Sequence, residues 1–113
     1  MSQRRFDQAV QLMRKTDPHV REDAFDFLRE HADAYVDELI AAFAAERDDH
    51  GLRRRLLELI AEAMSPKALG VFGEQLQATD ESLRFWAVRG LEMLDSREAE
   101  QVLDRARAGG WIT

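Results

Sequence analysis

Asp17-Pro18-His19-Val20-Arg21, Asp49-His50-Gly51-Leu52-Arg53 and Asp80-Glu81-Ser82-Leu83-Arg84 stand about thirty residues apart, and each is followed by an apolar run of helical period. In the first helix after each motif the apolar positions recur as Val20, Ala24, Phe25 and Leu28, then Leu52, Leu56, Leu57 and Ile60, then Leu83, Ala87, Val88 and Leu91. A spacing of i, i+4, i+5 and i+8 makes one buried stripe on a helix. Self-similarity at this period marks stacked helical hairpins, none of which buries its apolar face alone.

Short breaks follow at Ala32-Asp33, Met64-Ser65-Pro66 and Asp95-Ser96, where Asp33, Ser65 and Ser96 suit helix N-caps and Pro66 the first helical position. The second helix of each repeat carries Val36, Leu39, Ile40 and Phe43, then Ala68, Val71, Phe72 and Leu76, then Ala99, Val102, Leu103 and Ala106. Phe6, Ala9, Val10 and Met13 mark one further helix ahead of the first motif. The pattern predicts seven helices over 3–15, 18–31, 33–46, 50–63, 66–78, 81–94 and 96–108. It divides the chain into an N-terminal half-repeat (1–16), repeats at 17–48, 49–79 and 80–110, and an apolar tail at 111–113. Gly109-Gly110 is placed to end the last helix with a left-handed cap.

The Asp, apolar, Arg pattern with a short break and a second helix resembles the HEAT repeat, in the short bacterial form also seen in bilin lyases, over residues 17–108. The resemblance implies a right-handed α-solenoid with the first helices convex and the second helices lining the concave side. It also implies a structural ladder between neighbouring repeats formed by Asp17, Asp49 and Asp80 with Arg21, Arg53 and Arg84. An arginine fork matches a carboxylate, and each aspartate also suits the cap of its own helix.

The chain has 113 residues, 45% of them apolar, and no cysteine, so a disulfide framework and a thiolate metal site are both excluded. No secretory leader is apparent at the charged N-terminus, and the longest apolar stretch, Leu39 to Ala45, is far short of a membrane span, so a cytoplasmic location without membrane association is expected. The net charge of -6 is unevenly spread: +3 over 1–16, -7 over 17–48, zero over 49–79 and -2 over 80–113. Such a dipole suits steering of a basic partner, and charged faces also simply solvate helices.

No catalytic signature is present. Gly70 and Gly73 make no phosphate loop after a strand, and His19, His31 and His50 have no second histidine at ligand spacing. His19 and His50 belong to turns, and His31 falls near a helix end on its buried side. Carboxylates one turn apart, such as Glu22 with Asp26 and Glu58 with Glu62, read as solvated faces with nothing to desolvate them. Arg53-Arg54-Arg55 is flanked by Glu58 and Glu62 and forms no continuous basic stripe, which argues against nucleic acid. No cofactor or metal is expected.

Two features point to a surface that binds. With Leu83 at zero and about 100° per residue, Phe85 falls near 200° and Trp86 near 300°, whereas the buried stripe centres near 40°. The equivalent positions are Glu22 and Asp23, then Arg54 and Arg55. An aromatic pair beside Met93, where other repeats carry charge, suits a contact for a partner protein or a second copy, or a seat for the tail with Trp111 and Ile112. The second-helix surface offers small residues at Ala41, Gly70 and Gly73 amid Asp37, Glu38, Glu74, Glu100 and Asp104, a groove for a basic segment or a place of close helix packing. The expected role is therefore a non-enzymatic protein-binding module or adaptor, in one version a small acidic inhibitor or immunity-type protein. The alternative is a HEAT-like enzyme or accessory, lyase-like or glycosylase-like.

Overall fold

The computed structural model describes residues 3–112, and these are all-helical. The elements are α1 (Gln3–Met13), α2 (Pro18–Glu30), α3 (Val36–Ala45), α4 (His50–Ala63), α5 (Leu69–Gln75), α6 (Glu81–Leu94) and α7 (Arg97–Ala108), with a single 3-10 turn at Pro66–Ala68 leading into α5. Met1, Ser2 and Thr113, which belong to the predicted cap and tail, lie outside the described residues. No described helix is long and apolar enough to cross a membrane.

Helix starts follow the expected chemistry with one exception. Asp17, Asp49 and Asp80 each cap their own helix, Oδ1 accepting from the backbone N–H of His19 (2.9 Å), Leu52 (3.0 Å) and Ser82 (2.8 Å). Ser65 accepts from Lys67 and Ser96 from Ala99 in the same manner. These bonds satisfy backbone donors that a helix start leaves without an intrahelical acceptor. Asp33 does not act as a cap. The backbone instead continues turning after α2, with the N–H groups of Ala34 and Tyr35 donating to the His31 carbonyl, so α3 begins only at Val36. Burial explains the delay: Ala32 is almost wholly enclosed, and the Tyr35 ring lies 5.4 Å from that of Phe6.

Helices α4 and α6 end at Met64 (φ 50°) and Asp95 (φ 49°), two non-glycine residues in the left-handed region. That conformation costs an L-residue about 1–2 kcal/mol, and here it turns the chain into the next cap within two residues. At the C-terminus Gly110 (φ 81°) takes the left-handed position. The Trp111 N–H donates to the Ala106 carbonyl and the Gly110 N–H to that of Arg107, the paired bonds of a Schellman cap.

The closest helix packing is of α4 on α6. Next come α1 on α2, α3 on α4 and α5 on α6, while α7 lies back on α6. The repeat boundaries expected from sequence group each first helix with the second helix that follows it. The tighter pairing is between a second helix and the first helix of the next repeat, so α1 serves as the packing partner of α2. Burial follows this arrangement. Helix α4, with neighbours on several sides, buries Leu59, Ala61 and Ala63 besides its expected stripe, whereas Val20 and Val88 are only half-buried. One cluster of buried apolar side chains runs from Phe6 to Ala106.

The α5–α6 contact depends on Gly90. A Cβ at that position would overlap the ring of Phe72, meeting Cζ, Cε1 and Cε2 well inside van der Waals contact, and Phe72 is itself fully enclosed. Gly70 of α5 faces open space instead. Gly90→Ala is expected to destabilise the fold by about 1–3 kcal/mol through overpacking, against a small gain in helix propensity. Gly70→Ala should stabilise by about 0.5 kcal/mol. Urea unfolding of the two variants checks both signs.

Candidate functional site

Helix α6 holds the aromatic pair. Its apolar stripe faces α4 and α5, leaving Phe85 on the opposite side, where it is 59% exposed. The Trp86 ring meets Phe85 edge-on at 5.1 Å and is half-buried. Met93, expected beside them, is half-buried against the core. Trp111 does not cover the pair. It lies by Leu76, Gln77, Ala78 and Arg84, at the turn from α5 into α6.

Trp86 lies at the edge of an open cleft of about 560 Å³ that spans the surfaces of α2, α4 and α6. Phe25 lies under it, with the guanidinium groups of Arg55 and Arg29 at 5.3 and 5.8 Å from the ring centre. Of the charges lining the cleft, Glu22, Asp26, Arg29, Arg54 and Arg55 form ion pairs, Arg54 with an aspartate outside the lining. Arg54 Nε reaches Asp80 Oδ2 at 3.2 Å, Arg29 reaches Asp26 at 3.4 Å, and Arg55 reaches Glu22 at 3.8 Å. Two members of the arginine run are thus held by carboxylates, Asp80 and Glu22 of other segments rather than the flanking Glu58 and Glu62.

Glu58 lines the same cleft and departs from the sequence expectation. Burial raises its pKa above the usual glutamate value, and neighbouring Glu62 and Glu22 push the same way against Arg55 and Arg29. No residue type in the sequence signals this desolvation, because it comes from stacking α4 between α2 and α6. Asp80 has the opposite shift. Burial would raise its pKa, but the Ser82 N–H and the Arg54 guanidinium outweigh that and hold it below the usual value.

The acidic residues assigned to the other surface fall into separate groups. Asp37 and Glu38 line an open cleft of about 510 Å³ with Gln3, Phe6, Asp7, Ala41 and Ala42, between α1 and α3. Asp37 is also met by the Lys67 ammonium at 3.2 Å. Glu74 and Glu100 are exposed elsewhere, on α5 and α7, and Asp104 pairs with Arg107 at 3.4 Å. A Cβ at Gly73 would meet Val102 only at ordinary contact distance and one at Gly70 would face open space, so neither glycine is needed for close packing there.

The expected Asp–Arg ladder is corrected by the structure. Arg53 Nη1 donates to the carbonyls of Phe43 (3.2 Å) and Glu46 (2.6 Å), with its guanidinium 4.1 Å from the Phe43 ring centre. Arg84 Nη1 donates to the carbonyls of Ala78 (2.7 Å) and Thr79 (3.1 Å). Arg53 thus clamps the C-terminal end of α3, whose last carbonyls lack intrahelical donors, and Arg84 clamps the loop that follows α5, while the aspartates are engaged as caps. The inter-repeat ion pair to Asp80 comes from Arg54, one residue along from the expected position. Arg21 occupies the same register, but its Nε is buried without an acceptor.

Glu46, which the sequence reading passed over, ties three elements together. Its carboxylate accepts from the Asp49 N–H (2.9 Å) and the Asp48 N–H (3.1 Å), and it meets Arg14, in the turn just after α1, at 2.7 Å. The Asp49 N–H and Arg14 hold its pKa below the usual value. His31 is exposed rather than buried, capping α2 with its ring 4.8 Å from that of Phe27. No group of three or more potential metal ligands occurs among the described residues. Comparison with protein-family models finds none that matches the chain, and no curated protein matches it significantly.

The raised Glu58 pKa has a definite sign for stability. The folded state holds this proton more tightly than the unfolded chain, so stability falls as pH rises through the carboxylate range. Glu58→Gln is therefore expected to raise Tm at pH 7 and to lose that advantage at pH 3. Asp80→Asn should behave oppositely, losing stability at pH 7, where the depressed carboxylate contributes, and little in acid. Thermal melts of both variants across this range are the check.

Proposed function

We propose that the chain is a non-enzymatic protein-interaction module, a HEAT-like α-solenoid that binds another protein through the exposed face of α6. The observation that carries this reading is the 59% exposure of Phe85 at a junction position. Residues equivalent to Phe85 in the earlier repeats reach forward to the next first-type helix or its cap: Glu22 of α2 to Arg55 of α4, and Arg54 of α4 to Asp80 at the start of α6. Phe85 has no such helix ahead of it among the described residues. Charge is well hydrated when left unpaired at such a position, whereas an aromatic ring gains by leaving water.

The acidic first repeat supports a basic partner, in keeping with an inhibitor or immunity-type role. Asp23, Asp33 and Asp37 are exposed on it. Exposed charges of one sign act mainly on the rate of encounter and are screened by salt.

With an identified partner, Phe85→Ala should weaken binding about tenfold or more while leaving Tm nearly unchanged, as expected of an aromatic anchor at a contact. Unchanged affinity, measured by calorimetry, would remove α6 from the binding surface. Neutralising Asp23, Asp33 and Asp37 together should slow association and flatten its salt dependence in stopped-flow mixing, with little change in the dissociation rate.

A further inference from the structure

Glu81, Phe85 and Arg89 follow one another at intervals of four along α6, and all three are exposed. They form a single ridge with an acid at one end, the aromatic ring at the centre and a base at the other. Residues four apart lie about 6 Å apart along a helix axis, and ridges of this kind pack into one another with axes about 8–10 Å apart.

From this pattern we infer that α6 is a self-docking surface, on which two copies of the chain pair antiparallel about a two-fold axis through Phe85. The inference rests on reading the chain as an interaction module and names a second copy as the partner. The symmetry places Phe85 against the partner's Phe85, Glu81 against the partner's Arg89, and Arg89 against the partner's Glu81. An isologous contact must be complementary to itself, and a ridge with opposite charges equidistant from a central apolar residue meets that condition only in the antiparallel sense. A parallel pairing would set Glu81 against Glu81 and Arg89 against Arg89. Charge on this ridge is free to be shared. Among the described residues the ion pair of Glu81 is a 4.0 Å approach of Arg84, and its side chain is 90% exposed.

Continuity with the existing packing favours the same place. Helices α2, α4 and α6 pack in succession, and α6 presents toward the open side the register position that α2 and α4 turn toward their successors. A partner's α6 seated there extends that row. The exposed residues of the other terminal helix, α7, include Arg97, Glu98, Glu100, Gln101, Asp104 and Arg105, a polar surface without an aromatic anchor.

One helix ridge is a small contact, so the dimer should be weak, with a Kd on the order of 100 µM. Sedimentation equilibrium from about a tenth to about ten times that concentration should show a reversible monomer–dimer equilibrium that weakens with salt. Phe85→Ala should leave only monomer. Glu81→Arg and Arg89→Glu should each weaken dimerisation about tenfold, because each sets two like-charged pairs together. An equimolar mixture of those two variants should dimerise again, since Arg at 81 then faces Glu at 89 in one pair and the native Arg89 and Glu81 meet in the other. Wild type that stays monomeric throughout, dimers that survive Phe85→Ala, or a mixture that stays monomeric would each overturn the inference. A monomeric wild type whose Phe85→Ala variant still loses affinity for another protein would overturn self-docking alone and leave the interaction module standing.

Discussion

Seven short helices create a large number of backbone ends, and satisfying them where helices meet is the constraint on which the rest of this structure depends. Each aspartate of the repeated motif takes up N–H groups at the start of its own helix. Four residues on, Arg53 reaches back to carbonyls at the end of α3, and Arg84 to carbonyls of the loop between α5 and α6. Donor and acceptor shortfalls are thus met at the same place, which fixes where each helix begins relative to the last. A guanidinium suits the task because its charge strengthens bonds to carbonyls, and that of Arg53 also lies over the Phe43 ring.

This fastening explains why the tighter helix pairs span the motif rather than follow it. Arg53 joins α3 to α4 and Arg84 joins the loop after α5 to α6, and both helix pairs pack more extensively than α2 with α3, α4 with α5 or α6 with α7. Glu46 strengthens the first of these junctions by linking Arg14, just after α1, to the cap of α4. Where α1 meets α2, the Arg21 Nε is buried without an acceptor, and Phe6, Ala9, Val10 and Met13 of α1 are buried. The Phe72 ring against Gly90 provides the closest approach farther along, where removing a side chain from α6 lets α5 sit closer than any alanine would permit.

Surface chemistry follows from where each helix sits relative to its neighbours. Residues at the forward-facing register of α2 and α4 are charged and have something to pair with, and the corresponding residue of α6 is an exposed ring. Glu58 shows the reverse effect, a glutamate of ordinary sequence context that loses hydration because its neighbours close over it. Charge within the cleft is largely balanced, so the acidic character of the chain is expressed outside it, on the first repeat.

The sequence by itself determined the number and type of helices, their caps at Asp17, Asp49, Ser65, Asp80 and Ser96, most of the buried stripe and the exposure of Phe85, because these depend on local hydrogen bonding and on a period of 3.6 residues. Only the tertiary structure decided which helices pair most closely, that Arg53 and Arg84 hold carbonyls while Arg54 holds Asp80, that α3 starts late, and that Trp111 lies away from the aromatic pair. Those outcomes depend on distances between residues far apart in the chain. A one-residue change of partner, from Arg53 to Arg54, turns a side chain by about 100° around its helix, and no composition or spacing distinguishes the two before the neighbouring helix is in place. The desolvation of Glu58 and the need for glycine at position 90 belong to the same class, since each is imposed by a surface that another helix brings to it.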